Sequence, residues 1–417
     1  MRTLNVFIND HAIAMLRDDA GVWSLEYTPE WIANAAGYDL SPALARARGT
    51  IVDASSQRPV QWFFDNLLPE EQARTLLAND ARIDFADAFG LLGYYGAESA
   101  GAVTLLSDSH TAQPSGLRPL SDAQLSERIR NLPRVSLTTA APKRMSLAGA
   151  QHKLPIVMTD GALFEPIGST PSTHILKPDH PQRDLYDATA ANEWFVMSVA
   201  RAVGLDVPEV TLRRVPEATY LIERFDRVRA GDQLERVHVL DACQILTLDK
   251  SFKYQQATPH TLQAILDQVR NVAQTRMQLF RWLVFNILVG NNDAHLKNLS
   301  FFVRPDAYYL APHYDLLCTA VYGDAAAPWL DAELVWKPDG VRTHGDITRA
   351  SVLSLGEQIG IRTPLGNRIL DTLVPGVENT ARDLLERQAH LFSAGEGRLV
   401  RRIVHGVIRD MTHRLRR

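Results

Sequence analysis

Gly290-Asn291-Asn292-Asp293-Ala294-His295-Leu296-Lys297-Asn298 closes an apolar, helix-patterned run, and His313-Tyr314-Asp315 follows a short strand later. An Asp, an Asn five positions on and a second Asp beyond a strand can set one carboxylate against a hydroxyl and two oxygen donors against a metal. Spacing alone decides little, because Asp187 and Asn192 repeat the Asp-x-x-x-x-Asn interval in a stretch that reads as ordinary helix. Asn and Asp also tolerate the left-handed conformation and bond their own backbone, so Asn291-Asn292-Asp293 reads equally as a helix stop and turn. The rest of the chain carries the decision.

Three further parts of a phosphoryl-transfer site have candidates upstream, in the required order. Ser146-Leu147-Ala148-Gly149-Ala150-Gln151-His152-Lys153 precedes a hairpin, and its small residues permit close approach of backbone amides to phosphate oxygens. It is not a Gly-x-Gly-x-x-Gly loop and reads equally as a surface loop. Lys177 lies on a strand candidate, where its compact charge suits a phosphate, and Glu193 on the next helix is placed to hold it. Glu223, Arg224 and Phe225 end another strand, where backbone groups are available to read a base. Each signal has a bland alternative: a solvated lysine, an exposed glutamate, a sheet edge. Their order is what makes them informative.

The coarse organisation fits that order. Residues 1–106 carry strand-like runs at 5–8 and 22–27, a helix near 69–78 and a closing strand at 102–106. Residues 107–142 are rich in Ser, Pro, Gly and Thr and read as a linker with one short helix near 121–130. Residues 143–235 read as a small β-rich lobe: a hairpin turning at Asp160-Gly161, a strand at 172–178, a helix at 185–203 stopped by Gly204, and strands at 207–213 and 219–223. Residues 236–417 are mainly helical, at 262–273, 276–289, 348–359, 366–373, 377–388 and 395–415. The expected class is α+β: a protein-kinase-like bilobal fold with a β-rich N-lobe and a helical C-lobe, preceded by a β-rich N-terminal subdomain.

Bulk properties exclude several alternatives. A net charge of -4 argues against binding nucleic acid by bulk charge. Two cysteines, Cys243 and Cys318, give neither a disulfide framework nor zinc spacing, which suits a reducing cytoplasm. The first ten residues hold too short an apolar run for a signal peptide. The apolar stretch 279–289 contains Arg281 and Asn286 and is too short to span a bilayer. The expectation is a cytoplasmic protein with no membrane partner.

Taken together, Ser-Leu-x-Gly-x-Gln-x-Lys at 146–153, His174-Ile175-Leu176-Lys177-Pro178, Asn192-Glu193, Glu223-Arg224-Phe225-Asp226-Arg227 and the 290–298 stretch resemble the HipA family. Its members are serine/threonine kinase toxins of bacterial type II toxin–antitoxin modules. Phe63-Phe64-Asp65-Asn66-Leu67-Leu68-Pro69 and Gly101-Ala102-Val103 resemble that family's N-terminal part. The resemblance implies ATP and Mg2+ as cofactors, Asp293 as the catalytic base, and Asn298 with Asp315 as metal ligands. It implies Ala148, Gly149, Ala150, Gln151, His152 and Lys153 over the phosphates, Lys177 paired with them, and Glu223, Arg224 and Phe225 around the adenine. His295, Lys297 and Tyr314 would line the nucleotide site, and Glu193 is the candidate ion-pair partner of Lys177.

Ser146 would be autophosphorylated; roughly -1.5 to -2 charges beside ATP would repel the nucleotide and expel the loop. The implied partners are a protein substrate, such as an aminoacyl-tRNA synthetase or translation factor, and a small helix-turn-helix antitoxin through which DNA is met only indirectly. The chain has no convincing helix-turn-helix, and Arg401, Arg402, Arg409, Arg414, Arg416 and Arg417 read as the solvated face of the last helix. Residues 40–49 depart from the family's Ser-Leu-rich segment, which bears on the antitoxin, and the alanine-rich stretch 315–337 gives no substrate signal. Two rivals remain at this stage. One is a small-molecule kinase similar to aminoglycoside or choline phosphotransferases, which also place a His two residues after the catalytic Asp. The other is a non-catalytic ATP-binding corepressor, against which the intact set Lys177, Asp293, Asn298 and Asp315 speaks.

Overall fold

A computed structural model describes residues 1–107, 114–145, 147–231, 233–323 and 328–416. At the N-terminus, period-two alternation along Arg2–Ile8 turns Leu4, Val6 and Ile8 inward. That strand lies in a five-stranded antiparallel sheet in the order Thr50–Val52, Val22–Tyr27, His11–Asp19, Arg2–Ile8, Val103–Leu106. The helices Pro59–Asp65, Glu71–Ala81 and Ala88–Tyr95 accompany the sheet, and Trp23 meets Phe89 edge-on at 5.1 Å.

A second sheet has six strands, in the order Val210–Arg214, Ala218–Glu223, His174–Pro178, Leu154–Thr159, Ala162–Ile167, Gly116–Pro119. Asp160 and Gly161 both take positive φ, 51° and 76°, as a two-residue hairpin turn of this type requires. Gly116–Pro119 and the helix Asp122–Arg130 lie in the stretch expected as linker. The strand pairs with Ala162–Ile167, and Leu125 and Ile129 of the helix pack on Leu154, Ile156, Leu163 and Leu176. Apolar positions in a segment of turn-like composition thus close one face of the sheet. Ser121 and Gln124 form the capping box that starts the helix.

The helix after the lysine strand begins at Thr189, later than the pattern from 185 suggests, because Ala188 takes φ 51° and Asp179 caps the Ala190 N–H at 2.9 Å. In the C-terminal half, Val272–Val289 is a buried central helix that ends at Gly290, φ 64°. A side chain at Gly290 would meet Val407 at 2.7 Å and Ala320 at 2.8 Å, so glycine is needed for space as well as conformation. The two helices expected at 366–373 and 377–388 are a single helix, Thr363–Arg387, with Pro375 inside it. Its apolar stripe of Ile369, Leu370, Leu373, Val374, Val377 and Ala381 stays in phase across the proline, and burying it outweighs the lost backbone bond. The last helical run is Ala394–Arg402, a π-helical turn Ile403–Ile408 and Arg409–Arg416. Arg417 lies outside the described residues. No helix among the described residues is long and apolar enough to cross a membrane.

Candidate active site

Strand alternation aims the site's lysine. Leu176 is fully buried in the small cluster on one face of the sheet, so Ile175 and Lys177 fall on the other, where both line a cavity of about 500 Å³. Lys177 Nζ donates to Glu193 Oε1 at 2.7 Å and to Asp315 Oδ1 at 2.5 Å. Burial acts to lower the Lys177 pKa, but the Asp315 and Glu193 carboxylates outweigh it and hold the ammonium above its ordinary value. Burial likewise opposes ionisation of Asp315, yet Lys177 and then Lys153 keep its pKa below the usual carboxylate range. Asp315 has φ 59°, a left-handed backbone that a non-glycine residue holds only where the surroundings enforce it. Glu193, deep in its helix, is pushed up to about 7 by burial, with Lys177 opposing and Asp315 reinforcing the rise.

The stretch 290–298 both stops the helix at Gly290 and lines the cavity. Asn291 Nδ2 bonds Asn286 Oδ1 at 2.8 Å, and Asn291 Oδ1 takes the Asp293 N–H at 3.0 Å. Asn298 Nδ2 donates to the Asp293 carbonyl at 2.8 Å. That bond sets the amide's orientation, with the nitrogen donating and the oxygen left to accept a hydrogen bond or ligate a metal. Asp293 lines the same cavity as Asn298 and Asp315. Burial pushes its pKa up to about 6, against a hydrogen bond from the Tyr254 phenol and with Asp315 adding to the rise. Between Asn298 and Asp315 run the paired strands Ser300–Val303 and Tyr308–Leu310 where one strand was expected, and Val239–Asp241 joins them.

The loop 148–153 lies against the N-terminal part of the chain. Gly149 bridges Pro69, and its carbonyl takes the Glu70 N–H at 3.1 Å. Gly149 has φ 102°, and a side chain there would meet Lys153 Nζ at 2.9 Å. Lys153 Nζ bonds the Ala148 carbonyl at 2.7 Å and lines the cavity. Burial, with Lys177 beside it, lowers the Lys153 pKa to about 8. Ala148, Ala150, Gln151 and His152 line the cavity as well. Burial lowers His152 to about 4 and, with Lys253, His295 to about 3, so both imidazoles are neutral near pH 7. Ser146 lies outside the described residues.

Three expected nucleotide residues have part of their chemistry committed elsewhere. Glu223, Arg224 and Phe225 line the cavity, but the Arg224 guanidinium bonds Asp226, Ser172 and Glu98. Lys297 also lines it, yet its ammonium holds Asn66 Oδ1 at 2.7 Å and Asp241 Oδ2 at 2.7 Å. The Tyr314 hydroxyl bonds Ser300 and the Lys297 carbonyl, while its ring packs on Phe225 at 5.6 Å. Asn192, whose spacing from Asp187 carries no site but whose pairing with Glu193 belongs to the family resemblance, is fully buried. It exchanges bonds with the Cys318 backbone at 2.9 Å each way and donates to Tyr322, fastening the segment after Asp315. Glu70, Lys253 and Tyr254 were not singled out from sequence. Lys253 donates to Glu70 at 2.6 Å. Glu70 stands at the N-cap position of the helix Glu71–Ala81, and no local pattern marks Lys253 or Tyr254.

A β-sheet lysine tied to a helix glutamate, with an aspartate from the loop after a buried helix and a distal Asp on one cavity, defines a protein-kinase-like phosphotransferase. The HipA-like C-terminal domain family matches residues 145–380, and the HipA N-terminal domain family matches residues 4–106. The chain belongs to the HipA family, and it is a kinase. It is 31% identical over 406 residues to the protein Y4mE of Sinorhizobium fredii, covering 94% of each chain. The serine/threonine-protein kinase toxin HipA of Shewanella oneidensis is 27% identical over 343 residues, covering 77% of this chain and 76% of that one. The solved structure of Shewanella oneidensis HipA, in complex with HipB and operator DNA, superposes with a TM-score of 0.79 at 22% identity. That match covers 99% of this chain and 97% of the other, and it shows the shared fold.

Proposed function

We propose that the protein transfers the γ-phosphoryl group of ATP to a serine or threonine of a translation-related protein, as the toxin of a toxin–antitoxin module. The observation that carries this reading is the convergence of Lys177, held by Glu193, with Asp315, Asp293 and Asn298 on one cavity. Asp293 receives the acceptor hydroxyl's proton. A pKa near 6 leaves it ionised near neutral pH yet more basic than an ordinary aspartate. Lys177 and Lys153 face the phosphates, and the loop from Ala148 covers them. Ile175, Ile222, Phe225, Val239 and Tyr314 supply apolar walls for the adenine end.

The Asn298 amide oxygen and the Asp315 carboxylate form a hard-oxygen donor pair suited to Mg2+ that completes its shell with phosphate oxygens and water. Bound there, Mg2+ would neutralise charge on the phosphates. Ser146 is the proposed autophosphorylation site, and Lys143, three residues before it, is anchored on Glu98 at 2.7 Å. The relative solved with HipB and operator DNA supports an antitoxin as partner; the proposed partner is a small helix-turn-helix protein, with DNA met only through it.

The test is transfer from labelled ATP by the purified chain, with Asp293→Ala as control and mass spectrometry over Ser146. Label on protein that disappears in Asp293→Ala supports the reading. ATP binding without transfer to self or to any extract protein would sink it, and label on an added aminoglycoside alone would replace it with a small-molecule kinase.

A further inference from the structure

Tyr254 makes a contact that this reading leaves unused. Its phenol donates to Asp293 Oδ1, on the carboxylate that must receive the acceptor's proton. His295 meets the tyrosine ring edge-on at 4.9 Å, and the Lys253 ammonium stands 5.3 Å from its centroid. The segment behind the ring is tied down repeatedly. Lys253 bonds Glu70, the Lys253 carbonyl takes the Leu296 N–H at 3.2 Å, Lys250 pairs with Asp65 at 2.8 Å, and Asn66 bonds the Leu248 carbonyl at 3.1 Å. The root is fixed, whereas Tyr254 itself is 46% exposed. Such a side chain can leave by rotating about its own bonds, without unfolding the segment that carries it.

We propose that Tyr254 is a specificity-determining residue of the acceptor site: its phenol occupies the acceptor-hydroxyl position on Asp293, and only a polypeptide that displaces it reaches the base. This rests on Asp293 being that base. A charge-assisted bond to a carboxylate is among the stronger hydrogen bonds, and water or a small alcohol brings no other contact to offset its loss. A protein segment docked along the cleft does. The reaction held back is transfer to water: the bond from the γ-phosphorus to the ADP oxygen breaks and a water oxygen–phosphorus bond forms. The water proton passes to Asp293, and phosphate and ADP leave. Tyr254 thereby protects ATP from hydrolysis in the absence of an acceptor.

Acceptor-free ADP release by the full chain with ATP and Mg2+, compared across wild type, Tyr254→Phe, Tyr254→Ala and Asp293→Ala, tests the proposal. Both tyrosine variants should raise kcat roughly ten-fold, the factor carried by one hydrogen bond to a charged group, with the KM for ATP unchanged. Equal or lower kcat in both variants at unchanged KM overturns it. A second measurement needs no turnover: carbodiimide-driven coupling of glycine ethyl ester to Asp293, read by peptide mass spectrometry. Faster labelling in Tyr254→Ala than in wild type is expected, and equal labelling overturns the proposal. Failure of the base assignment looks different, because Asp293→Ala would then retain wild-type transfer whatever the labelling shows.

Discussion

Glu98 and Lys177 each sit at the centre of a buried charge cluster, and the two clusters end differently. One Glu98 oxygen accepts from Ser172, Arg224 and Arg227, the other from Lys143 and Arg236, and Asp226 pairs with Arg224 and Arg227. These side chains are at most 8% exposed, so the Glu98 carboxylate has nothing left to offer a ligand. Around Lys177, the Asp315 side chain is 28% exposed, Lys153 is bonded to a single carbonyl, and Asn298 lines the cavity. The same ionic chemistry holds a fold where it is closed on itself and prepares a site where it is left short of partners.

The contrast can be broken by substitution. The largest expected effect is at the open cluster's edge: Asp293→Ala should lower phosphoryl transfer by roughly 10²- to 10⁴-fold with an unchanged urea midpoint. More than a tenth of wild-type transfer in that variant removes Asp293 from its role. Next, Glu98→Gln leaves Lys143 and Arg236 without an acid and Arg224 and Arg227 with Asp226 alone, and should cost about 3–5 kcal/mol in urea unfolding. Undiminished stability there would mean that the closed cluster clamps nothing.

Glu193→Gln should act the other way round. With Lys177 misplaced, turnover should drop by up to roughly 100-fold, while the urea midpoint moves less than in Glu98→Gln because Asp315 still pairs with Lys177. A large loss of stability with intact turnover would make the two clusters alike.

Acidity gives the smallest and most specific test. The Glu98 pKa is depressed well below 4.5 in the folded chain: burial opposes the shift, but Lys143 and the three arginines outweigh it. Its contribution is therefore fully present above the unfolded value of about 4.5 and is lost as pH falls through the depressed folded value. Below pH 4.5 the urea midpoint of wild type should fall more steeply than that of Glu98→Gln. Parallel slopes would show that Glu98 titrates no differently in the folded chain.

What could be read beforehand followed local rules. Alternation on the strand carrying Lys177, the Asp160-Gly161 turn, the glycine stop at 290 and the pairing of Lys177 with Glu193 all depend on neighbours close in sequence or on element order. What escaped depends on distant approach. Lys253 meets Glu70 across 183 residues and Lys297 meets Asn66 across 231, and no periodicity reports such pairs. Lys297 was expected at the nucleotide, but Asn66 and Asp241 claim its charge from segments whose nearness only the fold creates. The break expected between 373 and 377 failed for the opposite reason: packing along the whole apolar stripe carries one helix through Pro375.

The backbone bond from Glu70 to the Gly149 carbonyl, beside the Glu98 cluster and the Glu70–Lys253 pair, has a consequence for descent. Exchange of residues 4–106 between distant relatives would cut across partners that work only as matched sets. Recombinants should inherit or forfeit the loop's placement in pairs, Glu98 with Arg227 and Glu70 with Lys253. A chimera that replaced residues 4–106 would therefore have to supply both acids again for the loop to keep its place.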